Sequence, residues 1–339
     1  MTSDTLVLTA TDVARALDIR ACIDAVARTL CAHEAGATRG PASSGLTLRD
    51  GSVHAKLAAV ETNGRTYVAV KTNINLPGNP VRHARPTIQG ALLLFDGDTG
   101  QPLLVMDSIV VTSVRTAAVA ALAARHLSLA ASHTITIVGC GAQGEAQLEA
   151  MCAVRELRTA FAVDTDRDKA TDFAHRMSVA HAIDVQPTTD LASAIRASDI
   201  CVTCTTSQAP FLYREHLHPG LFVAAVGADN PAKQEIDAGA MANSRVVVDS
   251  LTACAAGGDL HHAIAAKTMS EAGVYAELSA IVAGRIAGRR DPDEVFIFDS
   301  TGTALQDVAA AVVVYERALA DEAGARVIFD DRPHAVARG

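Results

Sequence analysis

Each thing this chain lacks removes a class of function. No stretch reaches roughly 18 uninterrupted apolar residues, which a membrane-spanning helix needs. The 29 Lys and Arg fall short of the 38 Asp and Glu, giving a net charge of −9. No basic cluster stands out, which argues against a nucleic-acid surface. The opening Met-Thr-Ser-Asp-Thr-Leu-Val lacks the basic start and apolar run of a signal peptide. The seven cysteines are odd in number and follow no framework spacing, as suits a reducing cytoplasm. Cys201 and Cys204 have the C-x-x-C spacing of a redox or zinc motif. They lie inside Asp199-Ile-Cys-Val-Thr-Cys-Thr, which reads as a buried parallel strand, and no second pair accompanies them, so both read as structural. The methionines are few and scattered and suggest no cofactor box. His261 and His262 are adjacent, so their side chains diverge on a helix, and no metal is assigned. These exclusions leave an expected cytoplasmic globular chain without membrane or nucleic acid. Its 339 residues suffice for two domains and a sizeable core.

What is present begins with Thr134-Ile-Thr-Ile-Val-Gly139-Cys-Gly141-Ala-Gln-Gly144-Glu. Strand-like alternation runs into a G-x-G-x-x-G turn, and a helical pattern follows through Met151. Gly139 allows the tight turn, Gly141 lets backbone approach a pyrophosphate, and Gly144 lets helix pack close to strand. The helix that opens at Ala142 and Gln143 offers free N–H groups and a partial positive charge to phosphates. An acid should end the second strand, and Thr159-Ala-Phe-Ala-Val163 ends in Asp164. A carboxylate there accepts hydrogen bonds from both ribose hydroxyls and repels a 2′-phosphate, so NAD is favoured over NADP. Thr165 and Asp166 follow, where an NADP enzyme more often places Arg or Lys. Asp166 either adds a second negative charge or is the N-cap of the next helix.

The elements around this motif divide the chain. A short strand (Leu6–Leu8) precedes two helical patterns, one with Thr11 as N-cap and one from Arg20 to Ala35. Strand-like runs follow at Gly45–Leu48, Ser52–Ala59, Tyr67–Lys71, Ile88–Phe95 and Pro102–Met106. Hairpin turns at Asp50-Gly51 and Gly97-Asp98-Thr-Gly100 suggest an α+β domain with an antiparallel sheet. A helix from Thr112 to about Ser128 leads into βα alternation from Thr134 onward. Ala304–Ala323 reads as a last helix, and Arg326–Phe329 as a strand returning to the first domain. The expected class is therefore α/β, with a Rossmann dinucleotide-binding domain (129–305) inserted in an α+β domain (1–128 plus 306–339).

Further segments carry a resemblance. They are Val70-Lys71-Thr-Asn73-Ile-Asn-Leu-Pro77-Gly-Asn79, Pro86-Thr87-Ile-Gln, Met106-Asp107-Ser, Arg115-Thr116-Ala-Ala and Gly227-Ala228-Asp229-x-Pro231-x-Lys233-Gln-Glu235. Gly258-Asp-Leu-His and Asp299-Ser300-Thr301-Gly302-x-Ala-x-Gln306-Asp307 complete the set. In this order, over nearly the whole chain, they resemble the ornithine cyclodeaminase/mu-crystallin family. The segments around Asp229 and Asp299 look most like its NAD-dependent alanine dehydrogenases. The resemblance implies a homodimer whose outer domain binds substrate and mediates dimerisation. It also implies chemistry through an imine at the α-carbon of an amino acid, by hydride exchange with nicotinamide.

Lys71 matches the family's active-site lysine, which holds the substrate carboxylate or supplies a proton. Arg115, read as opening its helix, matches an arginine that binds carboxylate or cofactor. Asp229 matches the aspartate that handles protons. Ala228, Lys233, Ser300 and Thr87 match positions on the cofactor's side of the site. Two departures stand out. The family's arginine ahead of this strand has no clean match between Arg39 and Arg49. The cyclodeaminases' glutamate for ornithine's distal amine is replaced within Val53-His54-Ala55-Lys56-Leu57. Lys56 either replaces the missing arginine or faces solvent. The expectation is an NAD-dependent amino-acid dehydrogenase or imine reductase acting on a small or dicarboxylic substrate. A redox-neutral cyclodeaminase and a non-enzymatic binding protein are the alternatives.

Overall fold

The computed structural model describes residues 4–329; the expected termini at residues 1–3 and 330–339 lie outside the described residues. Turn signals punctuate the first part of the chain, and extended runs form between them. β1 (Asp4–Leu8) leads to α1 (Ala10–Ala16) and α2 (Ile19–Glu34). β2 (Thr38–Leu48), β3 (Gly51–Thr62), β4 (Arg65–Asn75), α3 (Asn79–His83), β5 (Ile88–Asp96) and β6 (Pro102–Asp107) follow. β2 to β4 are longer than the sequence suggests, because cross-strand pairing extends them past their apolar cores. The two-residue Asn63-Gly64 turn, with both φ angles positive, closes the β3–β4 hairpin that sequence patterning leaves unassigned.

α4 (Ser108–Leu127) then crosses to the second half, which alternates strand and helix. Its elements are β7 (Thr134–Val138), α5 (Ala142–Val154), β8 (Thr159–Val163), α6 (Arg167–His181), β9 (Asp184–Thr188) and α7 (Leu191–Arg196). β10 (Ile200–Thr203), β11 (Phe222–Ala225), α8 (Ala238–Ala242), β12 (Arg245–Val248), α9 (Leu251–Gly257) and α10 (Asp259–Ala265) continue the pattern. β13 (Ala276–Glu277), α11 (Leu278–Val282), β14 (Phe296–Asp299), α12 (Ala304–Ala320) and β15 (Ala325–Ile328) end it.

Two sheets result. One has the order β15-β1-β6-β5-β4-β3-β2, and the other, all parallel, runs β13-β12-β14-β11-β10-β7-β8-β9. The reversal of strand order between β7 and β10 makes the switch point at which doubly wound sheets bind ligands. The first sheet is mixed rather than purely antiparallel, since β1 pairs parallel with β6. β15 returns from the far end of the chain to pair with β1.

Helix starts differ from the expected ones where a capping side chain decides. Thr9, not Thr11, caps α1, because Asp12 closes a capping box with it. Asp107 accepts from Ile109 N and Val110 N, so α4 begins at Ser108 rather than Thr112. Arg115 therefore lies two turns inside α4 and is buried, rather than opening the helix. By length and composition α4 could cross a membrane, but most of it is buried among α2, α5, α12 and strands of both sheets. Its alanine-rich face permits that close approach.

Candidate active site

The glycine turn after β7 shapes a groove of about 900 Å³ at the carboxyl edge of the parallel sheet. Gly139 has φ +105°, and a Cβ at Gly144 would collide with the Gly139 carbonyl, so α5 starts tight against β7. Nothing stands within 4 Å of where a Gly141 Cβ would be, which leaves backbone open to a ligand. α5 has no side-chain cap, and its first N–H groups face the groove unclaimed. Ala142, Gln143, Asp164 and Thr165 line it. Asp164 Oδ2 accepts from Cys140 N (2.9 Å) and Oδ1 from Asp166 N (3.0 Å). Burial opposes its charge, but those N–H groups outweigh burial and hold it below the ordinary carboxylate value. These features fit a dinucleotide with a free ribose 2′-hydroxyl. Asp166 caps α6, accepting from Asp168 N and Lys169 N. Lys169 also lines the groove, a cation that the linear reading passes over because one helical turn separates it from Asp164.

A second cluster forms where the two sheets meet. The β3–β4–β5 register puts Lys56, Lys71 and Leu92 in one cross-strand row, so both lysines face α4 and α12. Lys71 Nζ donates to Asp307 Oδ1 (2.7 Å) and to Thr112 Oγ1 (3.2 Å). Arg115 Nε lies 3.1 Å from the same Asp307 oxygen, and its Nη1 donates to Gln306 Oε1 (2.6 Å). Lys56 Nζ donates to the carbonyls of Gly302 (2.6 Å) and Thr301 (3.3 Å). A Cβ at Gly302 would collide with the Arg115 guanidinium, so only glycine lets the loop seat both cations.

Asp249 fixes that loop. Its carboxylate accepts from Ser300 Oγ (2.7 Å), Gly302 N (2.7 Å) and Gln306 Nε2 (3.3 Å). A chain of contacts thus runs from Lys56 through Gly302, Asp249, Gln306, Arg115 and Asp307 to Lys71. It joins both sheets. Three cations stand against two carboxylates, buried Asp307, which Lys71 and Arg115 touch, and half-buried Asp249, and the one surplus positive charge suits an incoming anion. Burial, opposed by Asp307, brings Lys71 down to about 7, where an amine can both give and take a proton. Burial and the Arg115 charge also hold Lys56 below its ordinary value.

Across the cleft, Asp229 follows β11 and pairs with Lys233 Nζ at 2.9 Å. Its side chain is 54% exposed. The partial screening of its carboxyl from water is outweighed by Lys233, which keeps Asp229 below its ordinary value, and the Lys56 charge adds to this. Lys233 also donates to the Gly227 carbonyl, and His262 Nε2 lies 2.9 Å from the Lys233 carbonyl. His261 instead meets the Ala255 carbonyl, so the two rings serve separate backbone groups. Ala228 is buried beneath this loop. Thr87 stands apart: its carbonyl accepts from Leu76 N, and among the described residues its side chain makes no hydrogen bond to the cluster.

Asp307, Gln306 and Asp249 take up roles here that no sequence motif assigns to them. A signal for Asp307 was available, since it is the charged residue in the first two turns of α12, where only Gln306 is otherwise polar.

A family model described as the ornithine cyclodeaminase/mu-crystallin family matches residues 3–322. This chain belongs to that family. Three solved structures share its fold over nearly the full length. An NAD-bound archaeal alanine dehydrogenase dimer has a TM-score of 0.91 at 32% identity, covering 96% of this chain and 100% of its own. The Thermococcus litoralis Delta(1)-pyrroline-2-carboxylate reductase, with NADH and L-proline, has a TM-score of 0.91 at 28% identity, covering 95% and 100%. The iminosuccinate reductase of Paracoccus denitrificans, with NAD+, has a TM-score of 0.89 at 26% identity, covering 96% and 99%.

Proposed function

We propose that this chain is an NAD-dependent oxidoreductase acting on the CH–NH2 or C=N group of a small α-amino or α-imino acid. The convergence of Lys56, Lys71 and Arg115 beside the dinucleotide groove carries this reading. When bound, NAD supplies or accepts the hydride at the substrate α-carbon. The glycine turn and the N-terminus of α5 hold the pyrophosphate, and Asp164 holds the adenosine ribose. Arg115, Lys56 and Lys71 bind and orient the α-carboxylate. Lys71 or Asp229 moves the proton at nitrogen, and Lys233 keeps Asp229 ionised.

One observation favours a dicarboxylic substrate within this class. The next cross-strand row beyond the lysines holds Gly45, His54, Asn73 and Gly90, and it contains no carboxylate. Asn73 Oδ1 accepts from Ser108 Oγ (2.6 Å), leaving its amide N–H2 to donate. Two residues along a strand span roughly 7 Å, a separation that suits a second acid group on a four- or five-carbon chain. The same row disfavours ornithine, whose distal ammonium finds no anion there.

The chain is read as a homodimer. The outer face of the first sheet leaves Leu46, Leu57 and Ile74 exposed, and β2 is an open edge strand. Residues 1–128 with 306–339 are read as the substrate and dimerisation domain, and 129–305 as the dinucleotide domain.

The test is a panel of keto acids with ammonium or methylamine, cyclic imines and iminosuccinate, each with NADH and followed by nicotinamide absorbance. Stoichiometric NADH loss with at least one imine is expected. Ornithine with substoichiometric NAD should yield negligible proline; proline over many turnovers per NAD would make this a cyclodeaminase instead. Ligand binding without any turnover would favour a binding protein.

A further inference from the structure

Lys71 Nζ carries three N–H donors when charged. Asp307 Oδ1 takes one and Thr112 Oγ1 takes another, so one remains for a ligand. The Thr112 hydroxyl is itself committed to the Ser108 carbonyl (2.7 Å) and so can only accept from the lysine. Asp307 is 1% exposed, and among the described residues its second oxygen has no hydrogen-bond partner. A carboxylate in that position is there for the cations it touches.

We propose that Asp307 is a positioning residue for proton transfer: it keeps the Lys71 ammonium charged and aimed, so that Lys71 is the group exchanging a proton with the substrate nitrogen. This rests on the reductase reading above, with the α-carboxylate left to Arg115 and Lys56 while the one free N–H of Lys71 serves the nitrogen. Reduction of C=N adds a hydride to carbon and a proton to nitrogen. The proton leaves the third N–H of Lys71, the lysine becomes a neutral amine, and solvent returns the proton after release. In the oxidative direction the neutral amine accepts it.

Every neighbour has a definite sign. Asp307 on α12 favours the ammonium. Arg115 on α4 and Lys56 on β3 disfavour it, as does burial. Asp249 and Asp229 reach the cluster through Lys56. Cys22 on α2 also feels Asp307 and Arg115, but burial pushes its thiol up to about 12, so it stays neutral. Without Asp307 burial and the Arg115 and Lys56 charges outweigh the single bond to Thr112, and the amine should shed its proton at lower pH.

The experiment titrates the Lys71 Nζ by 15N NMR in lysine-labelled protein without cofactor, with Lys71→Met for assignment. A wild-type midpoint near 7 is expected. Asp307→Asn should lower it by at least about one unit, a tenfold change in the ammonium-to-amine ratio. Lys56→Gln should raise it, and Asp307→Glu should restore most of the loss. The alkaline limb of imine reduction should move with the NMR midpoint. A midpoint that ignores Asp307→Asn, or a rate that falls equally at every pH with the limb unmoved, overturns the proposal. If Asp307→Asn does not fold, the upward shift in Lys56→Gln and an unshifted Asp307→Glu decide the matter in the same terms. If the titration behaves as stated but wild type reduces no imine, the functional reading fails and the electrostatic coupling stands.

Discussion

Two buried charge clusters sit near the carboxyl edge of the parallel sheet, and burial acts on them in opposite ways. In the first, Lys71 and Arg115 lie within 3.1 Å of Asp307, and this carboxylate stays below its ordinary value despite complete burial. In the second, Glu235, Asp259 and Asp299 meet, and among the described residues no cation pairs with them. Glu235 accepts from Thr203 Oγ1, from Thr205 N and Oγ1, and from Gly227 N. Asp259 accepts from Glu235 N and Ile236 N, and Asp299 from Leu260 N. Burial and mutual repulsion push Asp259 up to about 7 and Asp299 well above the usual carboxylate range. The same residue type is thus an anion in one cluster and a proton carrier in the other. The first keeps charge for a ligand. The second ties together the loops that carry Asp229.

The largest effect expected from breaking this contrast is on stability. Asp307→Ala strips a buried partner from two cations and should cost about 3–5 kcal/mol in urea unfolding. Asp299→Asn, in the protonated cluster, should cost far less. Equal losses would mean that the clusters are not electrostatically distinct.

Next in size is catalysis. Lys71→Ala should lower kcat/KM by at least about 10²-fold, roughly 2.7 kcal/mol, with cofactor affinity unchanged. A fully active variant would remove Lys71 from the chemistry.

The pH dependence of stability should separate the clusters by window. Asp259 is raised from 3.8 to about 7, so its contribution is full below about 4 and is lost as pH rises to about 7. Lys71 is lowered from 10.5 to about 7, so its burial cost is full below about 7 and fades as pH rises towards 10.5. Each limb should reach at least the roughly 1.4 kcal/mol of one pKa unit. Chemical unfolding from pH 4 to 10 should show a smaller descending limb in Asp259→Asn, with the remainder carried by Asp299 and Glu235, which burial also raises, and should lose the ascending limb in Lys71→Met. Limbs unchanged by these substitutions would reassign them to other groups.

The smallest effect concerns a third carboxylate, Asp164, held by N–H groups rather than by cations. NADH should bind at least about tenfold tighter than NADPH, or roughly 1.4 kcal/mol. Asp164→Ser with Thr165→Arg should narrow or invert the ratio. Equal wild-type affinities, measured by fluorescence titration, would show that Lys169 cancels the repulsion.

The dinucleotide groove was the more legible site because its parts are local. Strand, glycine turn, helix and acid lie between Thr134 and Asp164, and each is specified by near neighbours in the chain. The helix starts at Thr9 and Asp107 were missed because the capping partner, not the apolar period, sets the first turn. The mixed first sheet was missed because a parallel β1–β6 contact leaves no local mark.

The sequence alone determined that a nucleotide-binding strand–turn–helix exists, that an acid follows it, and that the chain's motifs follow one family's order. Tertiary structure alone decided that Lys56 faces the site rather than solvent. Strand register sets that choice, and a one-residue slip would have turned the side chain away. It also decided which cations Asp307 serves, since residues from 56 to 307 meet there only through the packing of α4 and α12 against both sheets. Charge has no periodicity along a chain, and its meaning in a fold depends on what burial brings beside it.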